Sequence, residues 1–378
     1  MDRPIADKPL SALLADADHS ADRVSIAAEI APAGSYQRRA PLLLDLAAVA
    51  PELQEQLRSY FDNASHDYPA RYVARLDAAV IAGQGAVLTA GAHLIHESVA
   101  EFVNHGLVPD GFVMKDGGLS LAKPVTRRVE GPALLLKRPW YKNFGHWLVD
   151  NATILALLPS LPLPRGYRII HGDVQQPAMR AIVASIFERL APGVPLVLHG
   201  DDEALLCEQL FYVTPLHVPP LFKLPLGLEM LRQRFQPAAA VSPTGSRLFI
   251  TRRGSTFRNV ENEDQLAALC QRYGFEVIMP ETMSFAEQVA RFAGAEAVIG
   301  VKGAALTNII FCPSSCAVMV LSPADFIDPF YWDIASQRQI AYAEVFGTVT
   351  TARATGLNDF IVPVEKVQHA LETMLPKP

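Results

Sequence analysis

Residues 295–321 read AEAVIGVKGAALTNIIFCPSSCAVMVL. The apolar runs at 297–299 and 317–321 are short and bounded by turn residues, as buried strands are. Between them the turn Gly300-Val301-Lys302-Gly303 opens a short helix that runs through Asn308. The same grammar holds upstream. Residues 247–251 form a strand, and a helix follows with Asn262 as N-cap and Gln265 at the third helical position, a capping-box pattern. Gly274 ends that helix, and 276–279 is the next strand. Ser284 with Glu287 makes a second capping box, for a helix that ends near Gly294. Strand, helix, strand, helix, strand with tight links predicts a parallel sheet of the Rossmann-like kind. A strand at 359–362 and an amphipathic helix at 364–375 close the chain.

Working outward, residues 215–246 are rich in proline (Pro215, Pro219, Pro220, Pro225, Pro237, Pro243) around one helix at 227–235. This connection is the expected domain boundary. Before it, strands at 134–136, 168–170, 194–198 and 210–213 alternate with helices at 143–158 and 178–190, which predicts a second parallel sheet. From Tyr36 to about Gly131, apolar runs at 79–81, 86–88 and 93–95 are punctuated by glycines and read as short strands and turns. The first 35 residues are Ala/Asp-rich with little periodicity, so a loosely held arm is expected there. The expected division is that arm at 1–35, an α/β domain with a β-rich start at 36–236, and a Rossmann-like domain at 237–378.

Half of the 378 residues are hydrophobic, enough to bury a real core, which excludes a disordered chain. Lys plus Arg is 33 and Asp plus Glu is 39, so the net charge of −6 gives the whole chain no nucleic-acid footprint. Cys207, Cys270, Cys312 and Cys316 are too few for a disulfide scaffold, and no second Cys/His pair completes a zinc site around Cys312 and Cys316. Buried free thiols in a reducing cytoplasm are expected. The N-terminus has no basic region ahead of an apolar run, unlike a secretory signal, and no stretch approaches the ~18 uninterrupted apolar residues of a membrane span.

Two stretches carry the chemistry of anions. The turn after Ile299 follows a parallel strand and opens a helix, where backbone N–H groups favour phosphate. Gly303 permits close approach, and Lys302 adds a charge; a plain tight turn with a solvated lysine is the competing reading. Arg247, Arg252, Arg253 and Arg258 lie in an acid-free run from Arg247 to Val260. Guanidinium forks suit diphosphate oxygens, although arginines in such loops also pair with neighbouring carboxylates. For proton transfer, His146 and Asp150 stand four apart on one helix face. Glu263, just inside the Asn262 cap, is a further base or ribose ligand, or simply a helix-dipole partner. Tyr331, Trp332 and Tyr342 are aromatics for stacking or for the core. No D-x-D motif stands on a strand end; Asp16-Ala17-Asp18 falls in the arm.

Together these pieces resemble glycosyltransferase family 61. The resemblance is carried by N-F-G-H-W-L-V-D at 143–150, F-I-T-R-R at 249–253, R-N-V-E-N-E at 258–263 and S-F-A-E-Q at 284–288. It continues through I-G-V-K-G-A-A-L-T-N-I-I-F-C-P at 299–313 and the Tyr-Trp pair at 331–332. It implies a GT-B-type α/β enzyme, two Rossmann-like domains facing a cleft, that moves a sugar with inversion from a nucleotide-sugar donor, mostly UDP-linked, without a catalytic metal. Bacterial members of the family resemble capsule and surface-polysaccharide enzymes. One departure is that Gly300-Val301-Lys302-Gly303-Ala304 stands where the family reads Gly-Pro-His-Gly-Ala. Lysine can balance diphosphate charge, but it replaces a histidine poorly in proton transfer at neutral pH.

On this reading Arg252, Arg253, Arg258, Asn262, Lys302, Gly303 and Ala304 hold the donor. His146 or Asp150 is the base, with Glu263 in reserve, and the acceptor lies against 36–140. No metal and no cofactor beyond the donor are expected. The partners are a nucleotide-sugar and a glycan or other hydroxyl acceptor, with no nucleic acid; the location is cytoplasmic, and peripheral membrane contact stays open. The alternative is a catalytically impaired nucleotide-sugar- or glycan-binding relative. An NAD-dependent Rossmann enzyme is the weakest option, since no complete glycine fingerprint is present.

Overall fold

The computed structural model describes residues 5–15, 21–220, 222–235 and 245–375. Asp16-Ala17-Asp18, Pro237 and Pro243 lie outside the described residues. The chain forms two compact units, one of Met1–Gly34 with Pro69–His217 and one of Ser35–Tyr68 with Val218–Pro378. It is a mixed α/β protein whose sheets are largely parallel.

In the second unit the parallel strands lie side by side in the order Phe275–Ile278, Ser246–Ile250, Ala295–Val301, Ala317–Pro323 and Ala341–Val349. The first strand in sequence, Ser246–Ile250, therefore sits inside the sheet, between the second and the third. This is the doubly wound arrangement, with its switch point between Ser246–Ile250 and Ala295–Val301. Alternate residues fill one face: Phe249, Ile299, Met319 and Val345 pack with Leu266, Leu269, Val367 and Leu371 of two helices. That is the period of two a pleated strand imposes, and each such fully buried side chain stabilises the fold by about 1.5–3 kcal/mol.

The Ser284 hydroxyl accepts the Glu287 N–H and the Glu287 carboxylate accepts the Ser284 N–H, so this capping box is real. The one expected at Asn262 is not. Asn262 instead donates from Nδ2 to the Val362 carbonyl and accepts the Val362 N–H at Oδ1, tying the helix start to the C-terminal strand.

Two expectations about the early chain are corrected. Residues 35–68 join the second unit. Strand Leu42–Leu44 pairs in parallel with Ala341–Val349, on the edge that also receives Phe360–Ile361. Arg38 forms a buried ion pair with Asp333 at 3.0 Å. An apolar strand that needs a partner found the open edge of a distant one, which local pattern does not disclose. The arm is also not loose throughout. Strand Ala6–Lys8 pairs with His93–Ile95, strand Val24–Ala31 pairs with Arg71–Ala82, and Leu10 and Leu13 are buried. The boundary expected at 236/237 falls at 217/218.

The first unit's sheet runs Ala6–Lys8, His93–Ile95, Ala86–Leu88, Arg71–Ala82, Ala204–Val213, Val125–Leu135, Arg168–Gly172 and Leu196–His199. The last four are mutually parallel, as the alternation predicts, while Arg71–Ala82 runs antiparallel to Ala204–Val213. The expected helix at 143–158 is present but not uniform. A helical turn at Phe144–His146 passes into a π-helical segment, Trp147–Ala152, then an α-helix, Thr153–Leu157.

Candidate functional site

The switch point of the second unit sets the first cluster. Ser246–Ile250 and Ala295–Val301 are adjacent and parallel, with Ile250 opposite Gly300, so the segments after both strands leave at the same edge. Those segments are 251–258 and 302–304. The Arg258 Nη1 donates to the Lys302 carbonyl at 3.0 Å, from a backbone held at φ +57°. The Arg252 Nη2 donates to Ser255 Oγ at 2.8 Å and to the Phe257 carbonyl. Its Nη1 fills the space above Gly303, where a Cβ would meet it at 1.9 Å. Gly303 is extended (φ 178°), so the need for glycine here is space rather than backbone freedom.

Both guanidinium groups lie over the Phe257 ring, at 5.7 and 5.3 Å. Burial, and for Arg252 also the neighbouring Arg258 charge, pushes their pKa values below the ordinary arginine value. Among the described residues neither forms an ion pair. The first N–H groups of the 3-10 helix Ala304–Phe311 begin beside them, and a helix cannot satisfy those internally. The combination is a pair of half-buried guanidinium groups beside a helix start, a cluster that an oxyanion would stabilise.

The other expected donor ligands face elsewhere. Arg253 is 56 % exposed and pairs with Asp264, and Arg247 pairs with Glu296 at 3.0 Å. Lys302 turns inward. It is 1 % exposed, and its Nζ pairs with Glu344 Oε1 at 2.7 Å and donates to the carbonyls of Phe326 and Asp328. Glu344 also accepts from Ser322 and Tyr342, so the lysine is the counter-charge of a buried acid. Neither a solvated lysine nor one open to phosphate describes it, because an ammonium this buried is held by its carboxylate. Glu263 is buried and accepts from Thr251 Oγ1, bracing the bend that leads to Arg252. Tyr331, Trp332 and Tyr342 are core residues, and Tyr331 donates to the Gly303 carbonyl at 2.7 Å.

The second cluster belongs to the first unit. Strands Val125–Leu135 and Ala204–Val213 are parallel neighbours, so the chain beyond each emerges at one edge. His146 comes from the first of these segments and His217 from the second. Asp150 lies between them, with Oδ1 3.0 Å from His217 Nδ1 and Oδ2 3.4 Å from His146 Nδ1. Asn143 Oδ1 accepts the N–H groups of Gly145 and His146 and fixes the turn that presents the imidazole. Burial alone would raise the Asp150 carboxyl. The His217 imidazole and the bonds from His146 and His217 outweigh that and hold it well below the usual carboxylate range. A carboxylate so stabilised is a poor proton acceptor, but it supports an imidazole that becomes charged.

His217 was not among the residues the sequence singled out. It sits in the proline-rich connection, and only the sheet register carries it back to Asp150. Two imidazoles and one carboxylate, with one ligand atom of each within 4.8 Å of the others, are also a set that could hold a divalent ion. All four cysteines are buried free thiols, and no helix among the described residues is long and apolar enough to cross a membrane.

Residues 144–319 match the family model described as Glycosyltransferase 61, just under half of the chain. The matched stretch opens at the His146 turn, contains His217, Arg252, Arg258 and Gly303, and ends within strand Ala317–Pro323. No curated protein matches the chain. The match supports a glycosyltransferase, a class that takes a sugar donor and an acceptor.

Proposed function

We propose that this protein is an inverting glycosyltransferase that uses a nucleotide-sugar, UDP-linked, as donor and a glycan or other hydroxyl as acceptor. The carrying observation is the pair of guanidinium groups, Arg252 and Arg258, that close on the Gly303 turn with no carboxylate in ion-pair contact with either among the described residues, Glu263, Glu281, Asp325 and Asp328 acting on them only from farther off. Two desolvated like charges side by side are costly unless an anion joins them. A diphosphate supplies that anion, and the same groups stabilise it as it leaves the anomeric carbon. Lys302 and Glu263 support the cluster from behind. Inversion needs one base, and His146 takes that role, with Asp150 holding its orientation and its positive charge after proton transfer. The GT-B arrangement, a cytoplasmic location and a place in surface-polysaccharide assembly belong to this proposal through the family likeness.

Titration calorimetry with UDP tests the donor site. Arg252→Ala and Arg258→Ala should each weaken binding about tenfold or more; unchanged affinity in both removes the assignment. Product configuration by NMR tests inversion. Binding of UDP without donor hydrolysis or transfer would favour an impaired relative. A second reading has its own observation in the His146, Asp150 and His217 set. If EDTA abolishes turnover and a divalent ion restores it, that set holds a metal and His146 is not a free base.

A further inference from the structure

Trp140 combines two properties that nothing in the donor site explains. The residue is 52 % exposed, whereas the other two tryptophans, Trp147 and Trp332, are buried. Its backbone stands at φ +61°, a region that bulky side chains rarely adopt. Among the described residues, no other exposed large apolar side chain has a positive φ. Single exposed apolar residues are ordinary; one held out by an unfavourable backbone is not.

The surroundings fix that backbone firmly. The Trp140 N–H donates to Gln84 Oε1 at 2.8 Å, and its indole N–H donates to Glu101. On one side Arg138 is buried and bonded to the Val213 carbonyl; on the other, Tyr141 is buried with its hydroxyl on Asp201 at 3.0 Å. Gly85 packs so closely under Lys137 that a Cβ would lie 2.2 Å from the Lys137 carbonyl oxygen. Strain that is over-determined in this way points to a use for the displayed side chain.

The position of the ring suggests the use. The Trp140 carbonyl accepts the Asn143 N–H at 2.8 Å, and Asn143 caps the turn of His146. One short segment therefore sets both rings, whose centroids are 6.5 Å apart. An indole face is electron-rich, and the C–H face of a pyranose is its electrostatic complement. Anchoring the indole N–H to Glu101 leaves the ring fixed and the carboxylate beside it, where sugar hydroxyls would find an acceptor.

We propose that Trp140 is the stacking platform of an acceptor-sugar subsite, on which a pyranose lies with a hydroxyl directed to His146. This rests on the glycosyltransferase reading and names the part of the first unit that receives the acceptor. Trp140 is a binding residue here, with Gln84 and Glu101 as its positioning residues.

Acrylamide quenching of tryptophan fluorescence tests it, because Trp140 is the exposed member of the three. The probes are methyl β-glucoside, methyl β-galactoside and methyl α-mannoside, each with and without UDP. At least one should protect wild-type Trp140 from quenching at least twofold. Trp140→Gly should lose saturation-transfer NMR signals from that glycoside, keep its UDP affinity and melt no lower than wild type, since glycine relieves the backbone. Trp140→Phe should retain most of the glycoside signal. If no glycoside protects while UDP binds, the subsite is overturned and the donor reading stands. If a glycoside protects but UDP does not bind, the donor reading fails and the platform remains as that of a glycan-binding protein. A clear loss of melting temperature in Trp140→Gly would show the residue serving the fold and would overturn the proposal.

Discussion

Gly303 is where a single hydrogen atom in place of a methyl group matters most. Its extended backbone would accept any residue, so alanine brings no conformational penalty there. The added Cβ would instead meet the Arg252 guanidinium at 1.9 Å and force that flexible group aside. Gly303→Ala should therefore fold with a melting temperature within a few degrees of wild type, yet lose about tenfold or more in UDP affinity, as Arg252→Ala does. Calorimetry beside a thermal melt checks both halves, and a stable variant with full affinity would place the nucleotide elsewhere. Lys302 teaches the complementary lesson. Its presence in a glycine-flanked turn was readable, but which way its ammonium points depended on Glu344, 42 positions on, whose carboxylate lies beneath it. Burial of a charge is decided by where its partner sits, and spacing along a chain does not encode that.

Elements decide how precisely the imidazole is held. The sequence correctly placed His146 and Asp150 four apart within helical structure, but the segment from Trp147 to Ala152 is π-helical. Such a widening often accompanies functional positions. It here lies immediately after the turn that Asn143 caps. Asn143→Ala should cost about 1 kcal/mol in stability through the lost cap. Its larger effect should be kinetic: a misplaced base lowers kcat by roughly 10–100-fold, with UDP affinity unchanged. Steady-state kinetics with a chemical denaturation curve separates the two effects, and a kcat equal to wild type would remove His146 from proton transfer. At the helix Glu263–Arg272, by contrast, the capping pattern at Asn262 misled, because the side chain bonds with Val362 of the C-terminal strand. Propensity proposes a cap; a tertiary partner with both a donor and an acceptor to offer displaces it.

At the scale of the molecule, two buried histidines tie stability to pH. Burial, reinforced by the Lys137 charge, lowers His171 and His199 from 6.5 to about 4. His171 Nε2 accepts the Trp147 indole N–H, which requires that nitrogen to be unprotonated. Between those two values the unfolded chain takes up protons that the folded chain refuses. The stabilisation is therefore complete above about pH 6.5 and is lost as pH falls toward 4. Each shift taken alone corresponds to roughly 3 kcal/mol. Urea unfolding at a series of pH values should show this decline, and His199→Gln should flatten it between pH 6.5 and 4. A variant with an unaltered slope would show that His199 does not carry it.

Although helix Phe330–Gln337 and strand Ala341–Val349 went unread, the sequence by itself determined the strands and helices between 246 and 321, the closing helix and the parallel segment 168–213. Their apolar periods and turn residues are local, and local sterics act within a few residues. It also supplied the residue types Arg252, Arg258 and Gly303, while their meeting follows from the sheet order that sets the two preceding strands side by side. Only the tertiary structure decided that residues 35–68 complete the second unit, that His217 joins His146 and Asp150, and that Lys302 faces inward while Trp140 faces out. Each of those depends on a partner tens or hundreds of positions away. Long-range pairing is set by which buried surfaces and charges fit one another in space, and a linear pattern of hydrophobicity does not contain that information.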